Sequence, residues 1–156
     1  MAYERSPYTM QYDVRGLLAD INVQGQLRVI RTILAEQQLD SILVSLGIHS
    51  FTFPEVGLSR GLDDRSIWSF CQEHRFALLT ENRNHDGPDS LHAASTEMLL
   101  PTTVPVATIA KKSTFDASAV YARRVAFDLA ELLFSLRFEQ RYWGIPRVYL
   151  PFPVRS

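Results

Sequence analysis

The 156-residue chain has a single cysteine, Cys71, which excludes an intrachain disulfide framework and any zinc site built from cysteines. Such cysteine usage points to a reducing, cytoplasmic setting. Neither a G-x-G-x-x-G nor a G-x-x-x-x-G-K-[ST] run occurs, so the two commonest phosphate-loop signatures are missing. There is no internal repeat and no low-complexity tract. The most apolar long stretch, Ala117 to Leu136, is interrupted by Tyr121, Arg123, Arg124, Asp128 and Glu131. It reads as a buried or partner-facing helix and not as a membrane span. The N-terminal residues carry Glu4 and Arg5 without an apolar core, so no signal peptide is expected. Excess charge is lacking too. With 16 basic against 17 acidic residues the net charge is −1, which excludes a polybasic coat for nucleic acid or anionic lipid. Polynucleotide contact is left to a local patch.

What is present describes one globular domain: 46% hydrophobic and 21% charged residues over a length sufficient for a layered core. Residues 1–13 read as an arm with Tyr3, Tyr8 and Tyr12, followed by a single domain over 14–156. Val14 to Ala19 is a short apolar run and an expected buried strand. Val23, Leu27, Ile30, Ile33 and Leu34 recur at helical spacing after Asn22, a suitable N-cap. The Ile42-Leu43-Val44 run predicts a second strand between Asp40 and Ile48, and His49 to Leu62 reads as loop. Asp63-Asp64 opens a helix with Ile67, Trp68, Cys71 and His74 on one side. Phe76 to Thr80 is the clearest strand. Asn82 to Pro88 is rich in turn residues, and Asp89 or Ser90 caps a helix over Leu91 to Leu100. Val104 to Ala110 predicts a strand, Asp116 to about Tyr142 a long helix, and Arg147 to Leu150 a last strand. Strands apolar on both faces, alternating with helices, predict a three-layer α/β/α domain. Its central sheet is mainly parallel, and a long C-terminal helix completes it.

In such sheets ligands bind beyond the C-terminal strand ends. Asp20 ends the first strand, Asp64 opens the second helix, and Asn82, Asn84 and Asp86 follow the Phe76–Thr80 strand. Oxygen ligands converging there suit Mg²⁺ or Mn²⁺, an ion able to activate water and stabilise charge developing on a phosphate. Each residue also has a plain structural explanation. Asp20 can accept from the amides of the following turn, Asp63 and Asp64 can cap a helix, and the asparagines form turns. Asp86 and Asp89 flank Gly87-Pro88, where a turn and a cap account for them. Arg83 is a candidate phosphate contact or a solvated surface arginine. The four histidines show no metal-ligand spacing, although His85 lies in the candidate loop, and Cys71 reads as a buried inert thiol.

The runs Leu17-Leu18-Ala19-Asp20-Ile21-Asn22-Val23, Gly61 to Trp68, and Phe76 to Asn84 together resemble the PIN-like superfamily. The resemblance is to its small branch with motifs of the form D-x-N, D-x-x-I and L-T-x-D-x-D. It spans about Leu17 to Leu91. The resemblance implies a divalent-metal-dependent nuclease acting on RNA, a toxin or RNA-processing enzyme, with Asp20 as first ligand and Asp64 as second acidic position. Asn82 and Asn84 fall where the family places aspartates, with Asp86 or Asp89 as compensating ligands. Asn22 of the first motif and Arg83 become candidate contacts to single-stranded RNA. The two asparagines equally suit a catalytically inactive PIN-like binding and dimerisation module.

Of the 16 basic residues only Lys111 and Lys112 are lysine. That pair and Arg123-Arg124 are candidate flanks of a nucleic-acid path, with nothing in the sequence linking them to Asp20. The tail helix carries Val120, Ala126, Phe127, Ala130, Leu133, Phe134 and Phe138 around much of its circumference. This suggests a homodimer surface, with core burial within one chain as the equal alternative. No antitoxin-like partner is indicated by name or motif.

Overall fold

The computed structural model describes residues 13–81 and 90–153. Five strands, β1 (Gly16–Ala19), β2 (His49–Phe51), β3 (Phe76–Thr80), β4 (Val106–Ile109) and β5 (Arg147–Leu150), form one sheet in the order β2-β1-β3-β4-β5. Every pairing is parallel. Parallel strands need crossovers, and seven helices supply them: α1 (Gln24–Glu36), α2 (Leu39–Ser45), α3 (Phe53–Val56), α4 (Asp64–His74), α5 (Leu91–Glu97), α6 (Lys112–Ala117) and α7 (Ala119–Phe134).

Alternation along the strands sorts the helices into layers. Leu17, Ala19, Ala77, Leu79, Ala107 and Ile109 share a core with Leu27, Ile30 and Leu34 of α1, Leu43 of α2 and Val125, Leu129 and Leu133 of α7. Leu18, Leu78 and Val106 point to the other face. There they meet Phe53 of α3, Ile67, Trp68 and Cys71 of α4 and Leu91 and Ala94 of α5. The domain is thus a three-layer α/β/α fold, as its apolar strands predict.

Two elements differ from expectation. The Ile42-Leu43-Val44 run lies in α2, not in a strand. Only Leu43 is buried, while Ile42 and Val44 are 45% and 52% exposed, the one-sided burial of a surface helix. The chain then closes in a Schellman turn. Gly47 at φ 78° donates its N–H to the Val44 carbonyl at 2.9 Å, and Ile48 donates to Leu43 at 2.9 Å. The second strand, β2, falls in the stretch expected as loop. It is a three-residue edge strand paired on one side with β1, too short to show a period.

Smaller differences concern helix ends. Asp20, not Asn22, caps the turn after β1, a 3₁₀ turn over Ile21–Val23, and α1 begins without a side-chain cap. The expected helix from Asp116 to Tyr142 is divided at Ser118, whose backbone is extended and whose hydroxyl accepts from the Tyr121 N–H. α7 continues through a π-helical turn over Ser135–Glu139 and stops at Gln140, at φ 53°. Seven residues of α7, from Ala122 to Leu133, are buried in the domain's own core, which accounts for most of its apolar circumference. Val120 and Phe138 remain exposed. His74 lies at the exposed end of α4 against the rings of Phe70 and Phe76, not on its buried side. No helix among the described residues is long and apolar enough to cross a membrane.

β1 passes so close to its neighbours that Gly16 is required. A Cβ at that position would stand 2.5 Å from the His49 carbonyl oxygen and 3.0 Å from the Phe76 ring. Because the nearer atom is backbone, relief demands a shift of the strand. Gly16→Ala is expected to destabilise the fold by about 1–3 kcal/mol, the usual cost of overpacking, read as a lower urea midpoint. An unchanged midpoint would show that β1 and β2 separate without penalty.

Candidate functional site

The strand order places β1 at the point where connections diverge, running to β2 on one side and to β3 on the other. The crevice at the C-terminal ends of β1 and β3 is therefore the expected ligand position in this topology. Ala19 is in register with Leu79, and the Asp20 N–H donates to the Leu79 carbonyl at 2.8 Å, so the chain leaves β1 directly beside the end of β3.

Asp20 occupies that crevice and is only 8% exposed. Its Oδ1 accepts from the Ile21 N–H at 2.7 Å, and its Oδ2 accepts from the Thr80 hydroxyl at 3.0 Å. Burial pushes its carboxyl above the ordinary range. The two hydrogen bonds oppose that shift, and the negative charges of Asp64 and Glu81 reinforce it. Asp20 is thus a carboxyl held out of water with two further carboxylates in its field.

Asp64 reaches this field because its neighbour takes the capping role. Asp63 is the N-cap of α4, its carboxylate accepting from the Ser66 N–H at 2.9 Å; the Ser66 side chain first and this amide second hold its carboxyl below the usual range. Asp64 begins the helix proper and accepts from the Leu91 N–H at 3.3 Å, linking the starts of α4 and α5. Glu81 directly follows β3. Its Oε1 lies 3.4 Å from the Lys112 ammonium, which also donates to the Asn22 carbonyl at 2.8 Å.

The structure therefore brings Asp20, Asp64, Glu81, Thr80 and Lys112 to one mouth. Asn22 participates through its backbone carbonyl. Asn82, Arg83, Asn84, His85, Asp86 and Asp89 lie outside the described residues. Glu81 and Thr80 were not singled out as site residues by sequence reasoning, and Lys112 was named only as a candidate flank of a nucleic-acid path. Glu81 could have been found as the first residue beyond the clearest strand. The link from Lys112 to this mouth could not, since 90 residues separate it from Asn22. Cys71 is buried beneath this region; burial first and the Asp20 charge second push its thiol far up, so the inert-thiol reading stands.

Two clefts adjoin the mouth. One, of about 550 Å³, is lined by Glu81, Lys111, Lys112, Ser113 and Asp116. The other, of about 250 Å³, runs over Ile21, Gln24, Phe53 and Leu58 to Arg60. Among the described residues no three His, Cys, Asp or Glu side chains converge closely enough to hold a metal ion. Asp64 and Glu81 act on Asp20 through their fields, and the three do not share one coordination sphere. Their oxygen-only chemistry suits a hard divalent cation, which commonly takes one or two protein carboxylates and completes its shell with water and substrate phosphate. A buried, like-charged carboxylate is also the group such a cation would relieve.

The chain matches no protein-family model, no curated protein and no solved structure.

A carboxyl whose pKa is raised on folding binds its proton more tightly in the folded state. Its presence therefore lowers stability as pH rises from the ordinary aspartate range through the raised value, and that loss persists above it. Asp20→Asn keeps an acceptor for Ile21 and offers Thr80 a donor while removing the buried charge. It is expected to melt higher than the wild type at pH 7, with the gain vanishing below about pH 4, where Asp20 is protonated in both states. A lower melting temperature at pH 7, or a pH-independent difference, would contradict the account.

Proposed function

We propose that this chain is a divalent-metal-dependent phosphodiesterase of PIN-like type acting on single-stranded RNA. The observation that carries the reading is Asp20, a buried carboxyl at the strand switch point, in the field of Asp64 and Glu81. The motif resemblance over Leu17 to Leu91 supplies the reaction class. Asp20 with Asp64 or Glu81 would hold Mg²⁺ or Mn²⁺. When bound, the cation lowers the pKa of a water and neutralises charge growing on the phosphate. Asn82, Asn84 and Asp86, which follow β3 in the sequence and lie outside the described residues, would join the proposed site, with Arg83 and Asn22 as substrate contacts.

The chain's own residues have separable roles in this reading. Thr80 and the Ile21 N–H orient the Asp20 carboxylate, each taking one lone pair and leaving others for a ligand. Asp63 spares Asp64 from capping. Lys112 restrains Glu81 and balances part of the mouth's negative charge. A reducing, cytoplasmic setting belongs to the same proposal, with Cys71 buried and free.

A second reading is favoured by two observations: no three-carboxylate group forms among the described residues, and Glu81 is already ion-paired. In it the chain is a catalytically silent PIN-like module that dimerises through the C-terminal helix, using exposed Val120 and Phe138.

The two separate in a cleavage assay on single-stranded RNA with Mg²⁺ or Mn²⁺. The phosphodiesterase reading predicts metal-dependent turnover that Asp20→Ala lowers on the order of 10²-fold or more, the scale of losing one preorganised electrostatic contact. Absence of turnover, together with a dimer that Phe138→Asp dissociates, would establish the silent module instead.

A further inference from the structure

We propose that Lys111 and Lys112 form a phosphate-binding wall beside the acidic mouth, where the backbone of a single-stranded RNA is held. The proposal deepens the phosphodiesterase reading and rests on it for the nature of the strand. The placement of the lysines stands independently.

The chain's only two lysines are adjacent where the chain passes from β4 into α6, Lys111 as the N-cap residue and Lys112 as the first residue of the helix. β4 is the neighbour of β3, so this junction opens beside Glu81. Lys112 bridges the ends of β1 and β3, with its Nζ 2.8 Å from the Asn22 carbonyl oxygen and 3.4 Å from Glu81. An ammonium has three N–H donors, and these two contacts leave one unused. The Lys111 backbone N–H donates to the Tyr121 hydroxyl at 3.0 Å, which ties the junction to α7. Its ammonium is exposed and has no hydrogen bond or ion pair among the described residues.

The cleft's acids are occupied. Glu81 faces Lys112, and Asp116 accepts from the Gln26 amide at 2.8 Å. The lining thus holds two acids and two lysines and is formally neutral, and among the described residues the Lys111 ammonium is its one charged group without a hydrogen-bond or ion-pair partner. A space of about 550 Å³ accommodates a nucleotide, and its open walls mix charged and polar side chains with Ile109 and Ala110. Lysine binds phosphate as a point charge without demanding one orientation, as a sequence-tolerant strand contact requires. The other candidate pair does not share the cleft: Arg123 and Arg124 are exposed on α7, where Arg123 lies 5.8 Å over the Phe127 ring.

The test is fluorescence anisotropy of a labelled single-stranded RNA 12-mer in EDTA over a series of salt concentrations. Working without divalent ions separates binding from cleavage. Lys111→Ala and Lys112→Ala are each expected to weaken binding several-fold at low salt. Each should also flatten the plot of log affinity against log salt by about 0.7, the value for one phosphate contact to a single strand. Lys112→Arg should restore the slope. Lys111→Ala decides the matter if Lys112→Ala fails to fold, because the Lys111 side chain makes no hydrogen bond or ion pair among the described residues. Wild-type affinity and slope in Lys111→Ala would overturn the proposal, even with metal-dependent cleavage intact. Flattened slopes without any cleavage would leave the phosphate wall standing and remove the phosphodiesterase reading.

Discussion

The parallel pairing of β1 with β3 brings a carboxylate to the end of the sheet and shuts it away from water. Gly16 lets the strands close, Leu18 and Leu78 anchor one face, and Ala19 and Leu79 anchor the other. The ladder's next bond, from the Asp20 N–H to Leu79, carries the pairing to the residue whose side chain then turns to Thr80. Two hydrogen bonds satisfy part of the Asp20 carboxylate but do not replace its lost solvation, and Asp64 and Glu81 add repulsion. The fold thus concentrates an unfavourable electrostatic term at one point while its core is regular.

The surroundings manage that term with few residues. Asp63 caps α4 in place of Asp64, and Asp64 links α4 to α5 through the Leu91 N–H. Lys112 crosses from the far side of β3 to meet Glu81 and the Asn22 carbonyl. Groups poised in this way lower stability while keeping a site ready for charge of the opposite sign, a pattern typical of functional centres. On the proposed reading, a divalent cation supplies that charge and the lysine wall receives the strand's phosphates.

Much of this was legible in the sequence, for physical reasons that can be named. Phe76 to Thr80 is apolar throughout because β3 is buried on both faces, and continuous runs of that kind survive translation into pattern. Asp20 was visible as the polar end of such a run. β2 was not, since three half-exposed edge residues carry no period, and Ile42-Leu43-Val44 imitated a strand because two apolar residues of α2 face solvent. The tail helix looked partner-facing because much of the core it packs on comes from β1, α1 and β3, which are distant in sequence. Glu81 was overlooked as a single acid among turn residues. Its pairing with Lys112 joins positions 31 residues apart, which no local pattern encodes.

The most direct test of the central claim is calorimetric titration of Mn²⁺ into the wild type, Asp20→Ala and Asp63→Asn at neutral pH. Saturable binding to the wild type and to Asp63→Asn, lost in Asp20→Ala, is the result the account predicts. Absence of binding in the wild type, or affinity unchanged in Asp20→Ala, would contradict the assignment of a cation to the β1–β3 mouth.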